Sequence, residues 1–135
     1  MKRLLFSLLA TVALGPLVLV AAEKVNTVLI HPGETIYAKF IQKGKKLTLV
    51  STSKEKDESA QVIFTMPKTA ANAASSLQVE NKFAKDLVYK LEIRSLSLKR
   101  NAPVPVVPVV AGKLARELLP PFIEEVAAYA FKLEL

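Results

Sequence analysis

A chain of 135 residues with 19 basic, 12 acidic and no cysteine residues is long enough for one packed domain, and it excludes disulfides, thiolate metal sites and thiol nucleophiles. The net charge of +7 comes from lysines scattered along the chain rather than from a stripe of arginine and aromatic residues, which argues against a nucleic-acid partner.

Residues 1–22 have the three parts of a secretory signal peptide. Lys2 and Arg3 form a positive head, and Leu4 to Val20 is an apolar run broken late by Gly15-Pro16. Val20-Ala21-Ala22 then sets small residues where a signal peptidase reads. Cleavage before Glu23 leaves residues 23–135 as a single domain, expected in the periplasm with no stable membrane anchor. The absence of cysteine rules out a lipid-modified start, and the longest later apolar stretch, Val104 to Gly112, is short and contains Pro105 and Pro108. Without Lys2 and Arg3, 17 basic residues face 12 acidic ones, a net charge of +5.

The pattern that follows is β. Thr27 to Ile30 is a first short strand, and His31-Pro32-Gly33-Glu34 is a turn with Pro and Gly at the central positions of type II. Glu34 to Ile41 alternates, with Ile36, Ala38 and Phe40 on one face. After a turn at Gln42 to Lys45, Lys46 to Thr52 completes a hairpin. Ser53 to Ser59 is a charged loop. Ala60 to Met66 is a strand with Val62, Phe64 and Met66 on one face, and Leu77 to Phe83 is another, with Asn81 its one polar inward member. Asp86 to Leu96 alternates most regularly, Leu87, Tyr89, Leu91 and Ile93 opposing Lys90, Glu92 and Arg94. Pro103, Pro105 and Pro108 keep the valine-rich stretch from Lys99 to Gly112 out of a central strand, so an extended edge segment is expected there. Lys113 to Leu119 suits two helical turns and Pro121 to Glu125 another short one, giving one short helix near residues 113–125. Ala127 to Leu135 reads as a closing strand, with Ala127, Tyr129, Phe131, Leu133 and Leu135 on one face; the competing reading is one helix from Pro121 to Phe131. About seven short strands without alternating helices predict an all-β chain, an antiparallel β-sandwich of immunoglobulin-like arrangement.

Chemistry is sparse. His31 is the single histidine, beside Pro32, and has no sequence-adjacent ligand or nucleophile to work with. Met66 is the single methionine after the signal and fits a core gap. The carboxylates fall in two groups, Glu55, Asp57 and Glu58 in a lysine-rich loop, and Glu124 with Glu125; neither has an apolar setting that separates two pKa values. No Gly-x-Ser-x-Gly and no phosphate-cradling loop occurs. No catalytic residue, cofactor or metal is therefore expected. Binding features are clearer. Lys39, Lys43, Lys45 and Lys46 cluster around one turn as a patch for an anion or partner. Val104, Val106, Val107 and Val109 lie in the proline-rich segment, where a sheet edge could be extended, and the last strand offers a second edge.

Asn81, Leu87-Val88-Tyr89-Lys90, the Pro103 to Gly112 segment, Glu117, Pro120, Ile123 and Phe131-Lys132-Leu133 together resemble a group of small β-rich periplasmic proteins of Gram-negative bacteria. The resemblance covers the chain from Asn81 on. In that group a Cys often precedes the second Pro-Val, where this chain has Val107, so the resemblance implies no thiol role and carries no catalytic residue over. The expected function is an exported binding or accessory module, not an enzyme, whose partner is an envelope protein or a glycan. The alternatives are an assembly subunit pairing by strand addition, and a degenerate hydrolase.

Overall fold

The computed structural model describes residues 26–70, 72–95 and 101–134, so the expected signal peptide at 1–22 lies outside the described residues. These residues are all-β and antiparallel, as the alternation predicts. The strands are β1 (Val28–Ile30), β2 (Thr35–Lys43), β3 (Lys46–Ser53), β4 (Val62–Thr65), β5 (Ser75–Asn81), β6 (Asp86–Ser95), β7 (Ala102–Val104), β8 (Leu114–Leu119) and β9 (Ile123–Glu134). No helix occurs among the described residues, and so none long and apolar enough to cross a membrane.

One hydrogen-bonded path joins the strands in the order β7-β6-β9-β3-β2-β4-β5-β8, with β1 added alongside β9. The sheet curls around one core. Phe131 of β9 stands at the centre, with ring centroids 4.9 Å from Phe40, 6.0 Å from Phe64 and 6.3 Å from Tyr89. Around it Ile30, Leu47, Met66, Leu77, Leu87, Leu91 and Leu133 are almost wholly buried. The inward faces of β2, β4, β5 and β6 are those read from period two.

Two elements differ from expectation. The helix predicted near residues 113–125 is absent: Leu114 to Leu119 is strand β8, paired with β5 from Ser75↔Leu119 to Glu80↔Leu114. Leu, Ala, Arg and Glu are good helix formers, but the seven residues between Gly112 (φ 70°) and Pro120 are too few to sustain a helix. The open edge of β5 offers them a full ladder instead. The alternative helix from Pro121 is also absent, because β9 begins at Ile123.

Within β9 the predicted face changes midway. Ala130 has φ 57° and sits where the register with β6 slips between Val88 and Lys90. This bulge turns Val126 and Ala128 inward before it and Phe131 and Leu133 inward after it. Tyr129 therefore lies outside the core row, where its hydroxyl donates to Glu92 Oε2 at 2.7 Å.

β9 is also not an edge. β6 occupies one side of it, and β1 and β3 share the other, so the C-terminal strand has no free side for a partner. The proline-rich segment is an edge only at β7. Val109 is 1% exposed, and its N–H and C=O both bond to Leu87 at 2.9 Å. Asn81, fully buried, explains the hold on this segment: its amide donates to the carbonyls of Val109 (3.0 Å) and Lys85 (2.9 Å), and its oxygen accepts from the Phe83 N–H (2.9 Å).

Candidate functional site

The sheet splits where β3 leaves β9. At the near end, Lys46 lies opposite Lys132, and the Leu133 N–H donates to the Lys45 carbonyl at 2.7 Å. A continuing ladder would bring Val50 opposite Ala128, but β1 holds that place, with Val28 opposite Ala128. β1 and β3 both run antiparallel to the same side of β9, so they run parallel to each other, without a ladder between them. The result is a slot of about 450 Å³ between the two strands. Leu29, Ile36 and Leu49 give it apolar surface, Ser51, Thr52 and Ser53 give it hydroxyls, and Val50, half-exposed, stands on its wall.

The backbone of β3 faces this slot at two positions. The Phe40 N–H donates to Gln61 Oε1 (2.8 Å) and its C=O accepts from Gln61 Nε2 (3.1 Å), and the Ala38 C=O accepts from the Gln61 N–H (3.1 Å), both toward β4. Their register partners on β3, Leu49 and Thr52, therefore turn their own N–H and C=O groups away from β2 and into the slot. Val50 is the extra residue of a bulge between them. The Leu49 N–H donates to Asn26 Oδ1 at 2.9 Å, a side chain standing in for a strand.

Both ends of the slot are tied. Asn26 closes one end. At the other, Glu34 joins the residue after β3 to the residue after β1: its Oε2 lies 3.0 Å from Lys54 Nζ, and its Oε1 accepts from the His31 N–H (2.9 Å) and lies 3.0 Å from His31 Nδ1. His31 Nε2 lies 3.0 Å from Glu125 Oε2, and Arg94 reaches Glu125 (3.7 Å) and Glu124 (3.5 Å). A neutral imidazole has one N–H, so both His31 contacts are hydrogen bonds together only in the doubly protonated ring. Burial alone would raise the Glu34 carboxyl, but the bonds from Lys54 and His31, with the His31 charge, outweigh it and hold Glu34 below its ordinary value. The turn that makes this clasp is the predicted one: Gly33 has φ 87°, and the Glu34 N–H donates to the His31 carbonyl at 3.0 Å.

His31 is thus bound on both ring nitrogens, and among the described residues no three His, Asp or Glu side chains are grouped to hold a metal ion. Of the predicted lysine patch, Lys43, Lys45 and Lys46 are exposed together at the β2–β3 turn. Lys39 stands four residues back along β2, about 13 Å by strand rise, near Asp57. The Ser59 hydroxyl and N–H lower the Asp57 carboxyl, and the Lys39 charge adds to this. Val104, Val106, Val107 and Val109 are not gathered into one binding edge. Val104 belongs to β7, Val109 is bound to Leu87, and prolines alternate between them. Sequence reasoning missed Asn26 and Gln61, whose contacts are 23 and 21 residues away, and the pairing of Glu125 with His31, 94 residues away. Comparison with protein-family models, with curated proteins and with solved structures gives no match to this chain.

Proposed function

We propose that this protein is an exported binding module that takes an extended polypeptide segment into the slot between β1 and β3 by strand addition. The observation that carries the reading is the chemistry of the open edges. Natural sheets protect edges with proline and charge. β7 contains Pro103 and is followed by Pro105. β8 carries Arg116 and Glu117, with Pro120-Pro121 behind them. From Leu47 to Ser53, β3 carries neither a proline nor a charge, and it turns the Leu49 and Thr52 backbones to a cleft with apolar surface. Backbone bonds to such an edge supply affinity, and the flanking pockets select side chains. The signal-like residues 1–22 and the resemblance to small periplasmic proteins support placement in the periplasm. Binding rather than catalysis is supported by His31, the one candidate base, whose two ring nitrogens are held by carboxylates.

The test is site-specific photo-cross-linking in the exporting cell, with the cross-linker at Val50 and, as the control edge, at Leu118. The reading expects Val50 to capture one defined segment of one partner, and Thr52→Pro, which removes a slot-facing N–H, to abolish that capture while circular dichroism stays unchanged. Equal capture at Val50 and Leu118, or capture indifferent to Thr52→Pro, refutes it.

A further inference from the structure

Four lysines flank the point where β3 leaves β9. Lys43, Lys45 and Lys46 come from the β2–β3 turn and Lys132 from β9, and all four are exposed. Lys46 and Lys132 are direct cross-strand partners. Like charges directly opposite each other destabilise a sheet, and a glutamate at either position would have removed the repulsion. The ion pairs of the described residues use Lys54, Lys56, His31 and Arg94, and none of these four lysines. Among the described residues the fold therefore keeps four lysines out of any close ion pair at the Asn26 end of the slot.

Strand direction makes this specific. β2 and β9, the neighbours of β3, both run antiparallel to it. A segment added to β3 in the same sense enters beside Ser53 and turns out of the slot beside Val50, because Asn26 holds the Leu49 N–H and β9 takes that side of β3 at Lys46. Its C-terminal continuation then passes the four lysines. Resting on the strand-addition reading above, we infer that the occupant is a polypeptide segment whose apolar stretch is followed, on its C-terminal side, by carboxylate residues. The slot holds the stretch, and the lysines fix its direction and register by charge.

The experiment titrates the whole mature protein, residues 23–135, with three labelled, end-blocked peptides. One alternates threonine and valine and ends in three glutamates, one places the same glutamates first, and one has glutamine in their place. The glutamate-last peptide is expected to bind about tenfold more tightly than the glutamine peptide at low salt, from several partly exposed ion pairs acting together. That advantage should fade toward about 0.5 M salt. The double variant Lys46→Gln/Lys132→Gln should remove the advantage and leave the glutamine peptide unchanged. Equal affinity for the glutamate-last and glutamine peptides, or for the two glutamate orders, overturns the inference while the slot reading stands. Failure of all three peptides to bind overturns the slot reading itself. Glutamate binding that survives Thr52→Pro and is displaced by heparin reassigns the lysines to an anionic polymer, and also overturns the inference.

Discussion

Glu34→Gln separates charge from shape in the clasp that ties the slot at the end opposite Asn26. Glutamine is isosteric and keeps one oxygen for the His31 N–H, so the 2.9 Å backbone bond survives in weaker form. What is lost is the charge that draws Lys54 and the His31 ring, each 3.0 Å away. The Lys54 contribution is small, because that side chain is 73% exposed and water competes for it. The His31 contacts are better enclosed, and charge-assisted bonds are worth about 1.5–3 kcal/mol against about 1 kcal/mol for neutral ones. The expected loss at neutral pH is about 1 kcal/mol. The sign with pH follows from the lowered Glu34 carboxyl. A carboxylate stabilised in the folded state contributes fully above its ordinary value of 4.5 and loses that contribution as the pH falls through the lower folded value. Urea unfolding of the wild type and the variant, from pH 7 downward, reads this directly. The two curves should lie about 1 kcal/mol apart at pH 7 and converge below 4.5. A gap that stays constant to the lowest pH at which the fold survives would refute the electrostatic account, because a packing defect does not titrate.

Phe131→Ala should cost about 3–5 kcal/mol in chemical denaturation, because one ring touches Phe40, Phe64 and Tyr89; a loss below about 1 kcal/mol would mean that Phe131 does not anchor the core. Asn81→Ala strips partners from the carbonyls of Val109 and Lys85 and from the Phe83 N–H. It should lower stability by about 2–4 kcal/mol, and hydrogen exchange should quicken first at Val109. The Tyr89 hydroxyl is enclosed without a hydrogen-bond partner among the described residues, so Tyr89→Phe should be neutral or stabilising by up to about 1 kcal/mol in thermal melts. Burial, with the Glu117 charge adding to it, pushes the Tyr89 hydroxyl far above its ordinary value of 10.0. Wild-type stability should therefore fall as the pH rises past 10, and by less in Tyr89→Phe.

Much of the fold is written in alternation. Leu87, Tyr89, Leu91 and Ile93 against Lys90 and Arg94 state their strand and its buried face without help from the rest of the chain. The His31–Glu34 turn is equally local, since Pro32 and Gly33 specify it. Two features are not local. β8 is a strand because β5 has an edge to fill, and nothing in Leu114 to Leu119 announces that edge. Tyr129 faces outward because of one bulge residue, Ala130, whose left-handed backbone is unusual for a residue with a side chain. A period-two pattern read through a bulge inverts every face beyond it, which is why the alternation puts Tyr129 in one row with Phe131 and Leu133.

The slot was illegible for a further reason: it is made by competition for one side of β9. The sequence from Lys46 to Ser53 reads as the return arm of a hairpin, and it is one, as far as β2 is concerned. Its other side would be an ordinary ladder if β3 kept to β9. β1 prevents this by placing Val28 and Ile30, both almost fully buried, against Ala128 and Val126. Ala128 leaves room for that approach, and the apolar pair in β1 gains more by burial than β3's Val50 would at the same place, about 1.5–3 kcal/mol for each side chain fully enclosed. The open edge of β3 thus follows from where the core is best filled, and its side chains reflect the outcome. Val50-Ser51-Thr52-Ser53 is small, uncharged and free of proline, a composition a sheet interior accepts and an exposed edge ordinarily avoids.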